Sequence, residues 1–183
     1  MAVLSTLAAA TQQGQVVALI DALDRGDPRS AAAAGIDLKR LLWIRGAPLT
    51  VERARPAMID HAIRQAVRAC DLVIRAGGFA VVALDLSEVP VRRLQALPAI
   101  TWLRLAHAND GRDTAGLLMV DAPIGRSARG VSVVIEAKPC WTGTSAQSRR
   151  LAGFAPVFRP RSVGLMPGLG RMHDAACVGH GGR

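Results

Sequence analysis

Two hydrophobic patterns alternate along the first two thirds of the chain. Short, continuous apolar runs rich in β-branched residues predict buried strands at residues 16–20, 41–44 and 79–84. An Ala- and Leu-rich segment at 1–13, and apolar residues at steps of three and four between 51 and 75, predict helices. Strands that alternate with helices predict an α/β fold, with a mainly parallel sheet flanked by helices on both faces.

Turn-forming residues and shorter patterns predict the remaining elements. Asp27 as a cap and Pro28 at the first helical position predict a short helix that Gly35 ends. Residues 90–97 and 99–108 predict two short helices, and residues 114–120 and 131–137 predict two further strands. Because the run at 51–75 contains Pro56, that helix is expected to restart there.

The pattern fades after Lys138. Residues 138–183 hold 8 of the 18 glycines and 4 of the 10 prolines, and only residues 151–158 suggest a strand. We therefore predict a globular domain over residues 1–137 and a basic, Gly- and Pro-rich tail over 138–183. The tail is expected to be partly disordered, chiefly beyond Gly164.

Charge favours a polyanionic partner such as nucleic acid. The net charge is +9; residues 1–137 carry 16 basic and 13 acidic side chains, and residues 138–183 carry 7 and 1. An Arg- and Ala-rich composition typical of a GC-rich genome explains part of this excess. The candidate contacts with DNA or a protein partner are Arg92, Arg93, Arg104, Arg126, Arg129, Arg149, Arg150, Arg159 and Arg161.

Cysteine usage bears on the compartment. Cys70, Cys140 and Cys177 are far apart and odd in number, which favours a reducing compartment over a disulfide framework. No apolar run reaches the roughly 18 residues of a membrane span, and no basic stretch precedes the apolar first residues. We expect a cytoplasmic protein with no membrane partner and no metal site.

One block of sequence resembles a known family. Residues 14–46 contain a strand ending in Ile-Asp-Ala, then Asp-Pro, a small-residue helix, Gly-Ile-Asp-Leu and Leu-Leu before the next strand. This block resembles the second-strand region of RecA recombinases, and residues 79–86 (FAVVALDL) look like a Walker B strand ending in Asp85. The compact spacing and the Arg-Ala-Gly-Gly-Phe before that strand are most similar to ImuA, a RecA-like accessory factor of SOS-induced mutagenesis.

The resemblance implies a P-loop NTPase core whose first strand and phosphate loop are missing. The chain starts inside what looks like the helix after that loop, and no Gly-x-x-x-x-Gly-Lys-Ser/Thr occurs. The resemblance implies that Asp85 is a remnant of a Walker B motif and that Asp21 and Asp24 are possible remnants of the same site. Each of the three also has a purely structural interpretation, as a residue that ends a strand or forms a turn. Leu23 stands where the family has its catalytic glutamate, so we expect neither ATP hydrolysis nor a catalytic residue.

The implied function is that of an accessory protein of DNA repair and translesion mutagenesis that binds proteins, and perhaps DNA. Its implied partners are RecA and mutagenic polymerases. One alternative is an ATP-dependent repair ATPase whose recorded start is too late, and only then would ATP and Mg²⁺ be cofactors. Another is an interaction module that acts through the tail. The missing strand would leave neighbouring strands unpaired, which predicts marginal stability, a covering partner or self-association.

Overall fold

The structure is a computed structural model that describes residues 2–122, 124, 130–143 and 148–161. The chain divides into two compact units, one over Val3–Ala128 and one that follows from Arg129. The described part of the first unit holds a sheet with helices, and that of the second holds a β-hairpin.

Four strands of the first unit form one parallel sheet. They are β1 (Val17–Asp21), β2 (Leu41–Arg45), β3 (Val81–Asp85) and β4 (Ala115–Met119). Their order is β2-β1-β3-β4, and every neighbouring pair runs parallel. The predicted α/β fold with a parallel sheet is confirmed, and each of these strands lies within two residues of its predicted bounds.

In the described part of the chain, five α-helices and one short 3-10 helix (Leu38–Arg40) connect and cover these strands. The α-helices are α1 (Ala2–Gln12), α2 (Pro28–Ala33), α3 (Pro56–Ala76), α4 (Val91–Gln95) and α5 (Ala99–Asn109). The helix predicted from residue 51 begins at Pro56, because the residue before a proline is driven out of the helical region, and Arg55 is extended. Among the described residues, no helix is both long and apolar enough to cross a membrane.

Alternate residues of each strand supply two separate cores. Val17 and Leu19 pack with Leu7 of α1 and Ala31 of α2 on one face of the sheet. Ala18, Ile20, Val82 and Leu84 pack on the other face with the apolar side of α3 and with Leu94 and Trp102 of α4 and α5. Because both faces are covered, the central strands are apolar throughout, and this is the continuous pattern that the sequence shows.

Two predicted helix boundaries have a direct local cause. The Asp27 carboxylate accepts hydrogen bonds from the backbone N–H and the hydroxyl of Ser30, both at 2.8 Å, and so caps α2. Gly35 follows that helix with a φ of +90°, a conformation that favours glycine. These contacts confirm the predicted start and end of α2.

The second unit differs from its sequence-based prediction. Strands β5 (Ser132–Thr142) and β6 (Arg150–Arg161) form an antiparallel pair that is separate from the parallel sheet. The strand predicted at 131–137 thus continues to Thr142, and the segment around 151–158 forms a long second strand. Each strand supplies the other's backbone partners, which hydrophobic periodicity alone does not reveal. The disorder expected beyond Gly164 lies outside the described residues.

Candidate functional site at the carboxyl edge of the sheet

Two of the three candidate aspartates lie side by side at the carboxyl edge of the parallel sheet. Asp21 ends β1 and Asp85 ends β3, and the register pairs them directly. Arg45 ends β2 and pairs with Asp21 from the other side. In open α/β sheets this edge is where ligands bind, so the fold brings these residues to the expected place.

Asp21 holds the turn that follows β1. Its side chain is 3% exposed, and its two oxygens accept the backbone N–H groups of Arg25 at 2.9 Å and of Gly26 at 2.7 Å. Gly26 is required in this turn, since a Cβ there would overlap the Trp43 ring and lie 2.9 Å from Asp21 Oδ2. These contacts fit the structural interpretation of Asp21, with its carboxylate committed to the backbone.

Leu23 and Asp24 point into different surroundings. Leu23 is 2% exposed and belongs to the core between the sheet and α3. Asp24 adopts a φ of +57°, and its carboxylate forms an ion pair with the Arg45 guanidinium. The position that the resemblance assigns to a catalytic glutamate therefore faces the hydrophobic core, and the neighbouring carboxylate is bound to Arg45.

Asp85 organises the turn after β3. The side chain is half-buried, and Oδ1 accepts the backbone N–H of Ser87 at 2.8 Å. The next residue, Glu88, has a φ of +64°, donates its N–H to Asp121 Oδ2 at 3.0 Å and forms a 2.9 Å ion pair with Arg25. The turns after β1, β3 and β4 are thus tied together by ionic and hydrogen bonds along the sheet edge.

Each of the three candidate carboxylates at this edge already has a protein partner. The carboxylates of Asp21, Asp24 and Asp85 are engaged by backbone N–H groups or by Arg45. Among the described residues no three His, Cys, Asp or Glu side chains come together in a way that could hold a metal ion.

An apolar groove lies beside this edge and was not predicted from the sequence. It has a volume of about 570 Å³ and lies between β2 and α3, with Asp21, Arg45 and Gly46 at one side. Met58, His61 and Gln65 of α3 line the other side. Their spacing on α3 places them on one helical face, but the sequence carries no signal that a groove lies beside that face.

The described candidate arginines of the first unit differ in exposure and pairing. Arg93 of α4 is ion-paired with Asp60 of α3 at 3.3 Å, whereas Arg92 of α4 and Arg104 of α5 are exposed. Arg126 and Arg129 lie outside the described residues.

In the hairpin the candidate arginines divide between two environments. The Arg149 guanidinium lies over the Trp141 ring, 5.5 Å from its centroid. Arg150 and Arg159 are exposed on β6, and Arg159 forms a 3.4 Å ion pair with Glu136. Arg161 ends β6, but its side chain is outside the described part of the structure.

The two described cysteines differ. Cys70 is a free thiol buried on α3, and burial, together with the charge of Asp71, raises its pKa to about 12. Cys140 of β5 is disulfide-bonded. The expectation that the cysteines form no disulfide is thus wrong for Cys140, because spacing along the chain does not reveal which cysteines meet in the fold.

Comparison with known proteins adds no relative. No protein-family model matches this chain, and no curated protein matches it.

Proposed function

We propose that this chain is a RecA-like accessory protein of the DNA-damage response, similar to ImuA, that acts by binding rather than by ATP hydrolysis. Its proposed partners are RecA-type proteins and mutagenic polymerases, with single-stranded DNA as a further ligand. The proposed site of action is in the cytoplasm. The proposed membership of the RecA-like family rests on the sequence block at residues 14–46 and on the Walker B-like strand.

The main support for a role without ATP hydrolysis is the environment of Leu23. Water attack on a phosphoryl group needs a side chain that positions the water, and Leu23 is apolar and buried in the core. Asp24, the nearest carboxylate, is neutralised by Arg45. The parallel sheet, with Asp21 and Asp85 at adjacent strand ends, supports a nucleotide-binding ancestry for this edge.

The test is fluorescence anisotropy of labelled single-stranded DNA, titrated with the full chain across a salt series, with and without Mg-ATP. We expect binding that weakens steeply with salt and is unchanged by ATP, because the contacts are between arginines and phosphates. Asp85→Asn serves as the matched variant and is expected to bind DNA like the unmodified chain.

Two other outcomes have clear meanings. Binding that requires ATP, and is lost in Asp85→Asn, would replace this proposal with the ATP-dependent repair enzyme. Absence of DNA binding at low salt would leave protein binding as the function, which co-purification with RecA-type and polymerase partners then tests directly.

A further inference from the structure

On one face of the β5–β6 hairpin the described side chains of the two strands are apolar, and at one end Arg149, just before β6, lies over the Trp141 ring. In the register, directly paired residues share a face, and the alternate residues of β5 on this face are Val133, Ile135, Ala137, Pro139 and Trp141. Their partners on β6 include Phe158, Pro156, Phe154 and Leu151. The large side chains of this face are between 37% and 59% exposed, so a long hydrophobic strip is open to solvent.

The opposite face of the same hairpin is charged. It carries Glu136 and Lys138 on β5 and Arg150 and Arg159 on β6, which is an excess of positive charge among the side chains that the structure describes. Two copies that met through this face would oppose like charges, whereas two that met through the apolar face would not. The hairpin therefore has one face suited to contact with its own copy and one that resists it.

Prolines show from which direction a partner can approach. Pro139 and Pro156 lack the N–H that a ladder bond needs, so their pairs must be of the non-hydrogen-bonded type, whose backbone groups point outward. Because each strand has such a proline, each edge of the hairpin lacks a backbone N–H group that an added strand would need. Addition of another strand to either edge is therefore blocked at these positions, and a partner can instead pack onto the apolar face.

We propose that the apolar face of the β5–β6 hairpin is a self-association surface, on which the same face of a second copy of this chain packs. An isolated two-stranded hairpin is marginally stable in water, and two such ribbons stacked face to face form a small β-sandwich with a dry core. A two-fold contact requires a surface that complements itself, and the apolar strip from Val133 to Pro139 meets that requirement. This proposal does not depend on the proposed function.

The dimensions of the hairpin fit this occupant. The strip runs from Val133 to Trp141 on β5, nine residues, so it is about 30 Å long. Two strips of this length and about 10 Å width bury on the order of 600 Å² in total, which is the size of a weak, transient contact. We therefore expect a dimer that dissociates on dilution.

The experiment is sedimentation velocity of the full chain over a concentration series, with two variants that differ only in the face they alter. Ile135→Glu places a carboxylate in the apolar strip, and Val134→Glu places the same charge on the neighbouring residue of the opposite face. We expect a reversible dimer for the unmodified chain and for Val134→Glu. In Ile135→Glu the dissociation constant should rise by about a hundredfold or more, because two carboxylates would be buried without partners.

A gentler pair keeps the test valid if a new charge unfolds the hairpin. Phe154→Ala removes apolar area from the strip, and Val157→Ala does so from the opposite face; circular dichroism reports whether each variant is folded. We expect dissociation to increase about tenfold or more for Phe154→Ala alone. A monomer at every concentration, or equal effects within each pair, would overturn the proposal. Binding of a monomer to phosphatidylcholine–phosphatidylserine vesicles, lost in Ile135→Glu, would overturn it in favour of a lipid surface.

Discussion

Asp21 and Asp85 occupy equivalent positions at the ends of neighbouring strands, yet their surroundings differ. Asp21 is buried and both of its oxygens accept backbone N–H groups, whereas Asp85 is half-buried and accepts one at Oδ1. The sequence could place both at strand ends, since each closes an apolar run. It could not show that Asp21 is committed to its turn, because that depends on how the backbone folds back over Arg25 and Gly26.

Leu23 provides a prediction at the residue scale. Leu23→Glu would bury an unpaired carboxylate in the core, and we expect it to lower the free energy of unfolding by more than about 3 kcal/mol. Leu23→Met conserves volume and should cost less than about 1.5 kcal/mol. Urea unfolding followed by tryptophan fluorescence measures both. If the glutamate variant were as stable as the methionine one, residue 23 could reach the sheet edge, and the argument against hydrolysis would fail.

At the scale of elements, α3 shows what hydrophobic periodicity can predict. Its buried residues, Ile59, Ile63, Ala66, Cys70 and Val73 among them, recur at steps of three and four, and the sequence pattern identified this face. The groove between α3 and β2 was not foreseen, because it arises from the distance between two elements and not from a pattern in either. The pairing of β5 with β6 is likewise a property of two strands together.

At the scale of elements, the buried thiol of Cys70 on α3 predicts how the stability of the fold depends on pH. The folded state raises the thiol pKa from its ordinary value of 9.0 to about 12, so above pH 9 the unfolded chain loses this proton first. Stability should therefore be complete below pH 9 and fall between pH 9 and about 12, by up to about 4 kcal/mol. Comparing urea unfolding of the unmodified chain and of Cys70→Ala across this range measures the effect.

The background in this pH range is small, because the chain contains no tyrosine and its lysines are the exposed Lys39 and Lys138. In Cys70→Ala the alkaline decline should be largely absent. An equally steep decline in that variant would mean that another group is responsible and that the thiol is not shielded by α3.

At the scale of the whole molecule, charge is distributed unevenly between the two units. The described part of the second unit exposes Lys138, Arg150 and Arg159 on one face of its hairpin. Exposed arginines in both units are ion-paired, Arg75 with Asp71 and Arg159 with Glu136. The uneven distribution could be counted from the sequence. Which arginines are exposed and which are paired could not, since Arg93 pairs with Asp60 across 33 positions of the chain.

This distribution predicts which arginines contribute to DNA binding. Arg150→Ser should lower the slope of log K against log salt by about 0.7, the value for one contact with a single strand. Arg159→Ser should lower it by less, because Arg159 is already paired with Glu136. Arg75→Ser, on α3 and paired with Asp71, is the matched control and should leave the slope unchanged. Anisotropy in a salt series measures all three, and a change confined to Arg75→Ser would move the DNA contact to the first unit.

The sequence by itself determined what depends on neighbours along the chain. The alternation of apolar strands with amphipathic helices, the cap at Asp27 and the helix start at Pro56 follow from local sterics, hydrogen bonding and periodicity. The tertiary structure decided what depends on residues far apart. The order β2-β1-β3-β4, the burial of Leu23, the Asp24–Arg45 pair and the apolar strip on the hairpin each require two segments to meet. Packing energy selects such meetings among many that the same local patterns allow.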